Sequence, residues 1–168
     1  MSHAKRLLLL VFVTGTLALT PNCADDFTTA SKTVNATTSA QATLTKVEFG
    51  AHPEDSYDRL VFTFTGGIPS ATIQYSSQAL SCGSGNPVPL QGTAILKARF
   101  ASSVAHNDNG MVTVNTTQLT GSSEAILEAK QICDFEGVVE WALGTNRVAP
   151  FRVTTLSNPS RIVIDVRR

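Results

Sequence analysis

The chain predicts an all-β fold, an antiparallel β-sandwich of about eight or nine short strands. Three observations carry that expectation. Short segments alternate apolar and polar residues with the period of two that a half-buried strand requires. Turns rich in Gly, Pro and Asn separate them, and no long amphipathic stretch repeats at the helical period. The clearest segment is Phe151 to Val166, FRVTTLSNPSRIVIDV. Two runs rich in β-branched residues flank its centre, where Pro159 withholds a backbone donor just before the second run begins. In that second run Ile162, Ile164 and Val166 face one way, and Arg161, Val163 and Asp165 face the other.

Taken in order, the chain opens on Lys5 and Arg6, then a run from Leu7 to Leu19 that is apolar apart from Thr14, Gly15 and Thr16. Thr20-Pro21-Asn22-Cys23-Ala24 follows, and the succession reads as a secretory signal peptide over residues 1–24. Its apolar core is too short to span a bilayer comfortably, so the expectation is an exported, extracytoplasmic chain. Cys23 stands where bacterial lipoproteins carry their lipidated cysteine, although Thr20, Pro21 and Asn22 differ from the Leu-Ala-Gly type of lead-in. The alternatives are that Cys23 leaves with the leader or stays as a free thiol.

Residues 25–43 are dominated by Thr, Ser and Ala, with Phe27 as the sole aromatic. Such a composition buries too little to offset its ordering entropy, which predicts a flexible tether. Asn35-Ala36-Thr37 and Asn115-Thr116-Thr117 match the glycosylation sequon, which has no meaning in a bacterial protein.

Residues 44–168 are one domain by length. With 13 Lys plus Arg against 13 Asp plus Glu the chain is neutral, which argues against a nucleic-acid binder that works by phosphate neutralisation. The body has no charge run or basic helix, so electrostatics gives no membrane-surface role.

Strand signals recur along this body. Leu44 to Phe49 alternates, and Leu60, Phe62 and Phe64 share one face of Tyr57 to Thr65. Thr72 to Tyr75 is a short strand before the turn-rich Cys82 to Pro87, and Ile95 to Ala101 alternates again. His106-Asn107-Asp108-Asn109-Gly110 is a turn with a strong Asn-Gly signal. Val112 to Leu119 reads as strand or extended loop. Ser123 to Ile132 suits helix by composition but strand by the spacing of Ile126, Glu128, Lys130 and Ile132, and strand is the preferred reading. Val139, Trp141 and Leu143 share a face in Val138 to Leu143, with Trp141 expected in the core.

Cys82 and Cys133 form an even pair beside strand ends, and in an oxidising compartment they are expected to be bonded. Two cysteines without a histidine pair do not suggest a metal site. His52 and His106 lie in loops outside any nucleophile motif, and their expected state is solvated. Asp108 and Asn109 lack the spaced acids of a calcium loop, and Asp134 and Glu136 read as water-facing carboxylates near a turn. The sequence thus predicts neither catalytic residue, cofactor nor metal, and chemistry at the surface is expected to be binding.

YDRLVFTF from Tyr57, GNPVPL from Gly85, DFEGVVEWALG from Asp134, PFRV from Pro150 and PSRIVIDV from Pro159 together resemble the AMIN-like domain of exported actinobacterial proteins, many of them lipoproteins. The likeness runs from about Val47 to Val166, and DFEGVV and P-x-RIVID are its most specific parts. It implies kinship with the AMIN domain of periplasmic amidases and secretins, a β-sandwich that holds peptidoglycan. The implied function is a non-catalytic cell-envelope module that binds peptidoglycan or another envelope glycan. The alternative is a protein–protein module that docks an envelope enzyme through an exposed strand edge. Expected partners are therefore a wall glycan or an envelope protein, with the membrane reached through a lipid anchor alone.

A glycan binder needs aromatic faces for sugar rings and polar groups for hydroxyls. The candidates are Tyr57, Asp58, Arg59, Tyr75, Arg152, Arg161 and Asp165. Against ligand roles stand two structural expectations: that Arg59 or Arg152 pairs with Asp165 across neighbouring strands, and that Arg161 and Asp165 form an architectural couple.

Overall fold

The computed structural model describes residues 26–50, 54–121 and 124–168. Their strands are β1 (Lys32–Val34), β2 (Ala42–Gly50), β3 (Tyr57–Thr65), β4 (Ser70–Ser76), β5 (Ala94–Ala101), β6 (Ser103–Val104), β7 (Gln118–Thr120), β8 (Ile126–Phe135), β9 (Val138–Thr145), β10 (Phe151–Leu156) and β11 (Ser160–Arg167). They form a six-stranded sheet in the order β1-β4-β5-β9-β8-β7 and a five-stranded sheet in the order β10-β11-β3-β2-β6. The architecture is the expected all-β sandwich. Every pairing is antiparallel except the short parallel contact of β2 with β6. The strands beyond the expected eight or nine are β1, β6 and β7, each two or three residues long and too short to leave a readable alternation.

Between the sheets the apolar faces meet as their period dictates. Leu60, Phe62 and Phe64 of β3, Val139, Trp141 and Leu143 of β9, and Ile162, Ile164 and Val166 of β11 are all buried. Phe62 packs on Phe100 with ring centres 4.9 Å apart and edge-on to Trp141 at 5.8 Å, an arrangement that adds to simple area burial.

β8 is a strand, and its helix-like look has a cause. Bulges between Ile126 and Glu128 and between Gln131 and Cys133 each insert a residue into the pairing with β9. Ile126 and Ala129 therefore both reach the main core while Ile132 joins a second cluster. A spacing of three then imitates a helix.

The tether expectation does not hold for residues 26–43. Thr28 exchanges backbone hydrogen bonds with Phe151 at 3.1 and 2.8 Å, β1 pairs with β4, and β2 begins at Ala42. This segment spans from the edge of one sheet to the edge of the other. Main-chain bonds, the Thr37 hydroxyl that accepts from Ile68 N–H at 2.9 Å, the packing of Val34 on the core and the Phe27 ring hold it, and residue composition does not report such contacts. The leader, Cys23, His52 and Ser123 lie outside the described residues.

Residues 77–93 fold over part of the outer face of the six-stranded sheet. Ala79, Val88 and Leu90 pack there with Ile95, Ile132 and Ala142. The Cys82–Cys133 disulfide, with Cα atoms 5.2 Å apart, pins the loop, and Lys130 Nζ donates to the Pro89 carbonyl at 2.7 Å. Gly144 is required beneath it, since a Cβ there would lie 2.0 Å from the Gln91 carbonyl oxygen. Gly144→Ala is expected to cost about 3 kcal/mol as an overpacking defect, read by urea denaturation. Unchanged stability would contradict this seating of the loop.

The free edge of β2 is capped by side chains. Val47 N–H donates to Asn115 Oδ1 at 2.8 Å, Asn115 Nδ2 donates to the Val47 carbonyl at 3.2 Å, and Thr113 Oγ1 donates to the Leu44 carbonyl at 2.8 Å. The Asn115 amide is thereby committed to blocking an edge.

Candidate binding face

Alternation along β2, β3, β10 and β11 turns one set of side chains away from the core, and register lines them up in rows across the five-stranded sheet. The first row is Arg167 and Tyr57, and the second is Arg152, Asp165, Arg59 and Gly50. The third is Thr154, Val163, Val61 and Glu48, and the fourth is Leu156, Arg161, Thr63 and Lys46. Val163 and Val61 are 3% and 8% exposed although they face outward. Arginines stand in both flanking rows, and side chains of that kind cover apolar surface with their stems while keeping their charged ends wet.

The second row is built around one carboxylate. Asp165, 1% exposed, accepts from Arg59 Nε at 2.6 Å and Nη2 at 2.9 Å, and from Arg152 Nε at 2.8 Å. Bonding to Asp165 raises the Arg59 pKa above its ordinary value, so this cation stays charged throughout the accessible range. Gly50 lies opposite Arg59, and a Cβ there would come within 3.0 Å of the Arg59 Cδ. The glycine leaves room for the arginine stem.

Rings stack on these cations. The Arg152 guanidinium lies 4.6 Å from the Phe27 ring centre and 5.0 Å from that of Tyr57. Arg167 lies 4.2 Å from Phe27, and the Phe27 and Tyr57 rings are 5.8 Å apart. Such contacts contribute about 0.5–1 kcal/mol each at exposed sites. A hydrogen bond to Asp55, reinforced by burial, raises the Tyr57 pKa.

Tyr57, Arg59, Arg152, Arg161 and Asp165 thus share one face, as five of the seven sequence candidates. Asp58 and Tyr75 do not. Asp58 is 3% exposed; it accepts from the backbone N–H groups of Ala125 and Ile126 and from Arg168 Nε at 2.8 Å. It ties β3 to the start of β8 and to the chain end. Tyr75 points between the sheets, where its hydroxyl donates to the Ala149 carbonyl at 2.8 Å and accepts from Ala149 N–H at 2.9 Å. Burial raises its pKa.

The expected ion pair of Asp165 with Arg59 or Arg152 forms with both. The expected Arg161–Asp165 couple does not form, because four positions along a strand separate side chains by about 13 Å. Phe27 and Arg167 were missed as members of the face. Arg167 has the parity of Asp165, a signal that could have found it; Phe27 stood alone in a polar segment and gave none.

Away from this face, His106 Nδ1 lies 2.7 Å from Asp134 Oδ2, and Asp134 Oδ1 accepts from Ala105 N–H at 3.0 Å. His106 is not simply solvated, nor does Asp134 merely face water. The pair fastens the 106–112 turn to the end of β8. Within that turn the Asn107 carboxamide accepts from Asn109 and Met111, both at 3.0 Å.

Guanidinium, hydroxyl and aromatic groups thus stand in register on one sheet face of an all-β sandwich. Over residues 42–168 the chain matches the AMIN-like domain, and it belongs to that family. Such domains are non-catalytic binding modules associated with the cell envelope and peptidoglycan. No curated protein and no solved structure matches the chain. Residues 26–41 precede the matched range, so Phe27 is an addition to the family's portion of the face.

Proposed function

We propose that this chain is an exported, non-catalytic envelope module that retains peptidoglycan or another envelope glycan on the outer face of its five-stranded sheet. The observation that carries this reading is the shared register of Tyr57, Arg59, Arg152, Arg161 and Asp165 across neighbouring strands. Planar arrays of this kind suit sugar polymers: guanidinium and hydroxyl groups meet ring hydroxyls, and the aromatic edge offers an apolar contact.

Co-sedimentation of the exported chain with purified sacculi tests this. The expected result is retention above that of a neutral protein of similar size; equal retention would overturn the reading.

A second reading draws on the edge of β10. Thr28 occupies the outward main-chain groups of Phe151, and no further backbone bond at that edge is formed by the described residues beyond it. An extended segment of an envelope protein could add there as a strand. Crosslinking in the native envelope separates the two: glycan alone supports the first, and a protein joined at Val153 or Thr155 supports the second.

A further inference from the structure

The fourth row of the face differs from the second in one respect. The cations of the second row converge on Asp165, whereas Arg161 has no ion pair and no hydrogen bond among the described residues, and its Nε is buried without a partner. Nε itself is closed to solvent, but Arg161 as a whole is only partly buried, so the terminal guanidinium N–H donors, which meet no acceptor among the described residues, are the ones an incoming anion would reach. Thr63 is its neighbour on β3, and Lys46 lies beyond Thr63 on β2. Adjacent strands are about 4.8 Å apart, so the two cations straddle a threonine with a gap of about 10 Å between their strands. Lys46 meets Glu48 at 2.6 Å, but both side chains are about half exposed, and such a pair is weak enough to yield to a better anion. Lys46, Arg59, Arg152, Arg161 and Arg167 face outward against Glu48 and Asp165, with Asp55 beside Tyr57, so five cations meet three anions and this face is basic on a chain whose net charge is zero.

We propose that the row Arg161–Thr63–Lys46 is an anion-recognition site, in which the Arg161 guanidinium and Lys46 ammonium take a carboxylate or phosphate oxygen over the Thr63 hydroxyl. It rests on the glycan reading above for its biological ligand. In an envelope polymer the carboxylates belong to peptide stems and the phosphates to phosphodiester chains. The planar guanidinium suits both through paired N–H donors. The site makes the binding face selective for charged wall material over neutral glycan.

The test begins with the bare anions. Inorganic phosphate and acetate are titrated into the full exported chain and into its Arg161→Gln variant, with sodium chloride at matched ionic strength as control, and backbone amide and arginine Nε–H resonances are followed. Saturable shifts at Lys46, Thr63 and Arg161 that chloride does not cause, weakened about tenfold in Arg161→Gln, are expected. Shifts no larger than the chloride control, or equal in the variant, would overturn the site. Matching melting temperatures establish that the variant is folded, and Arg161→Lys, which keeps the charge, is expected to recover part of the response.

Sacculi then identify the source. Loss of retention after hydrofluoric acid removes phosphodiester polymers assigns the anion to phosphate, and loss after carbodiimide amidation assigns it to stem carboxylates. Retention that survives both treatments and the Arg161→Gln change overturns the anion site and leaves the glycan reading standing. A response to free anions without retention on untreated sacculi overturns the glycan reading and leaves the site.

Discussion

Asp165→Asn is expected to lower the folding free energy by about 3 kcal/mol, because it removes the one anion that two guanidinium groups share. Asp165 is 1% exposed, while Arg59 and Arg152 are 24% and 32% exposed. Deleting one partner of a fully buried ion pair costs about 3–5 kcal/mol. The partial exposure of both arginines lets water recover some of that loss, which places the estimate at the low end. Amide for carboxylate also sets an N–H donor against a guanidinium that can only donate. Urea denaturation reads the change directly, with the slope unchanged and the midpoint reduced. A loss below about 1 kcal/mol would mean that the rows of the face are not organised by this carboxylate.

The second large effect concerns the disulfide. Replacing Cys82 and Cys133 together by Ser is expected to destabilise the chain by about 4 kcal/mol on the loop-closure estimate, for a sequence separation of 51 residues. The loop that carries Cys82 seats only a small apolar cluster on Ala142 and Ile132, so its remaining contacts offset little of the lost constraint. The outer cluster should loosen first, while the main core, built from the opposite face of the same sheet, keeps its packing. Reduction of the wild-type chain is expected to lower the denaturation midpoint to that of the double variant. A midpoint unaffected by reduction would contradict the account.

Much of this fold was legible because one face of nearly every long strand is buried. Leu60, Phe62 and Phe64 or Val139, Trp141 and Leu143 recur at every second position with large apolar side chains, and each set reached the core. Where bulges shift the phase, as in β8, the period blurs and composition alone misleads. β1 and the segment around Phe27 were illegible for another reason: main-chain pairing to an edge and stacking on distant arginines leave no periodic trace.

The site was legible in part. Parity along β3 and β11 placed Arg59, Arg161 and Asp165 outward. The same rule, applied to Asp58 and Tyr75, puts them with Leu60 and Ile73 on the inner side, where they lie. What parity cannot give is the neighbouring strand. Asp165 meets Arg59 and Arg152 because β11 runs between β3 and β10, and no feature of the PSRIVIDV segment alone distinguishes those partners from Arg161.

The most direct measurement compares the outer faces of the two sheets. Thr154→Glu places a carboxylate on the exposed part of the five-stranded sheet, and Gln74→Glu places one on the exposed part of the six-stranded sheet. Both positions are exposed, so neither change should move the melting temperature appreciably. Sacculus co-sedimentation of the two variants beside the wild type is expected to show retention reduced severalfold for Thr154→Glu and unchanged for Gln74→Glu. Equal retention of all three, or loss confined to Gln74→Glu, would contradict the assignment of binding to the face that Asp165 organises.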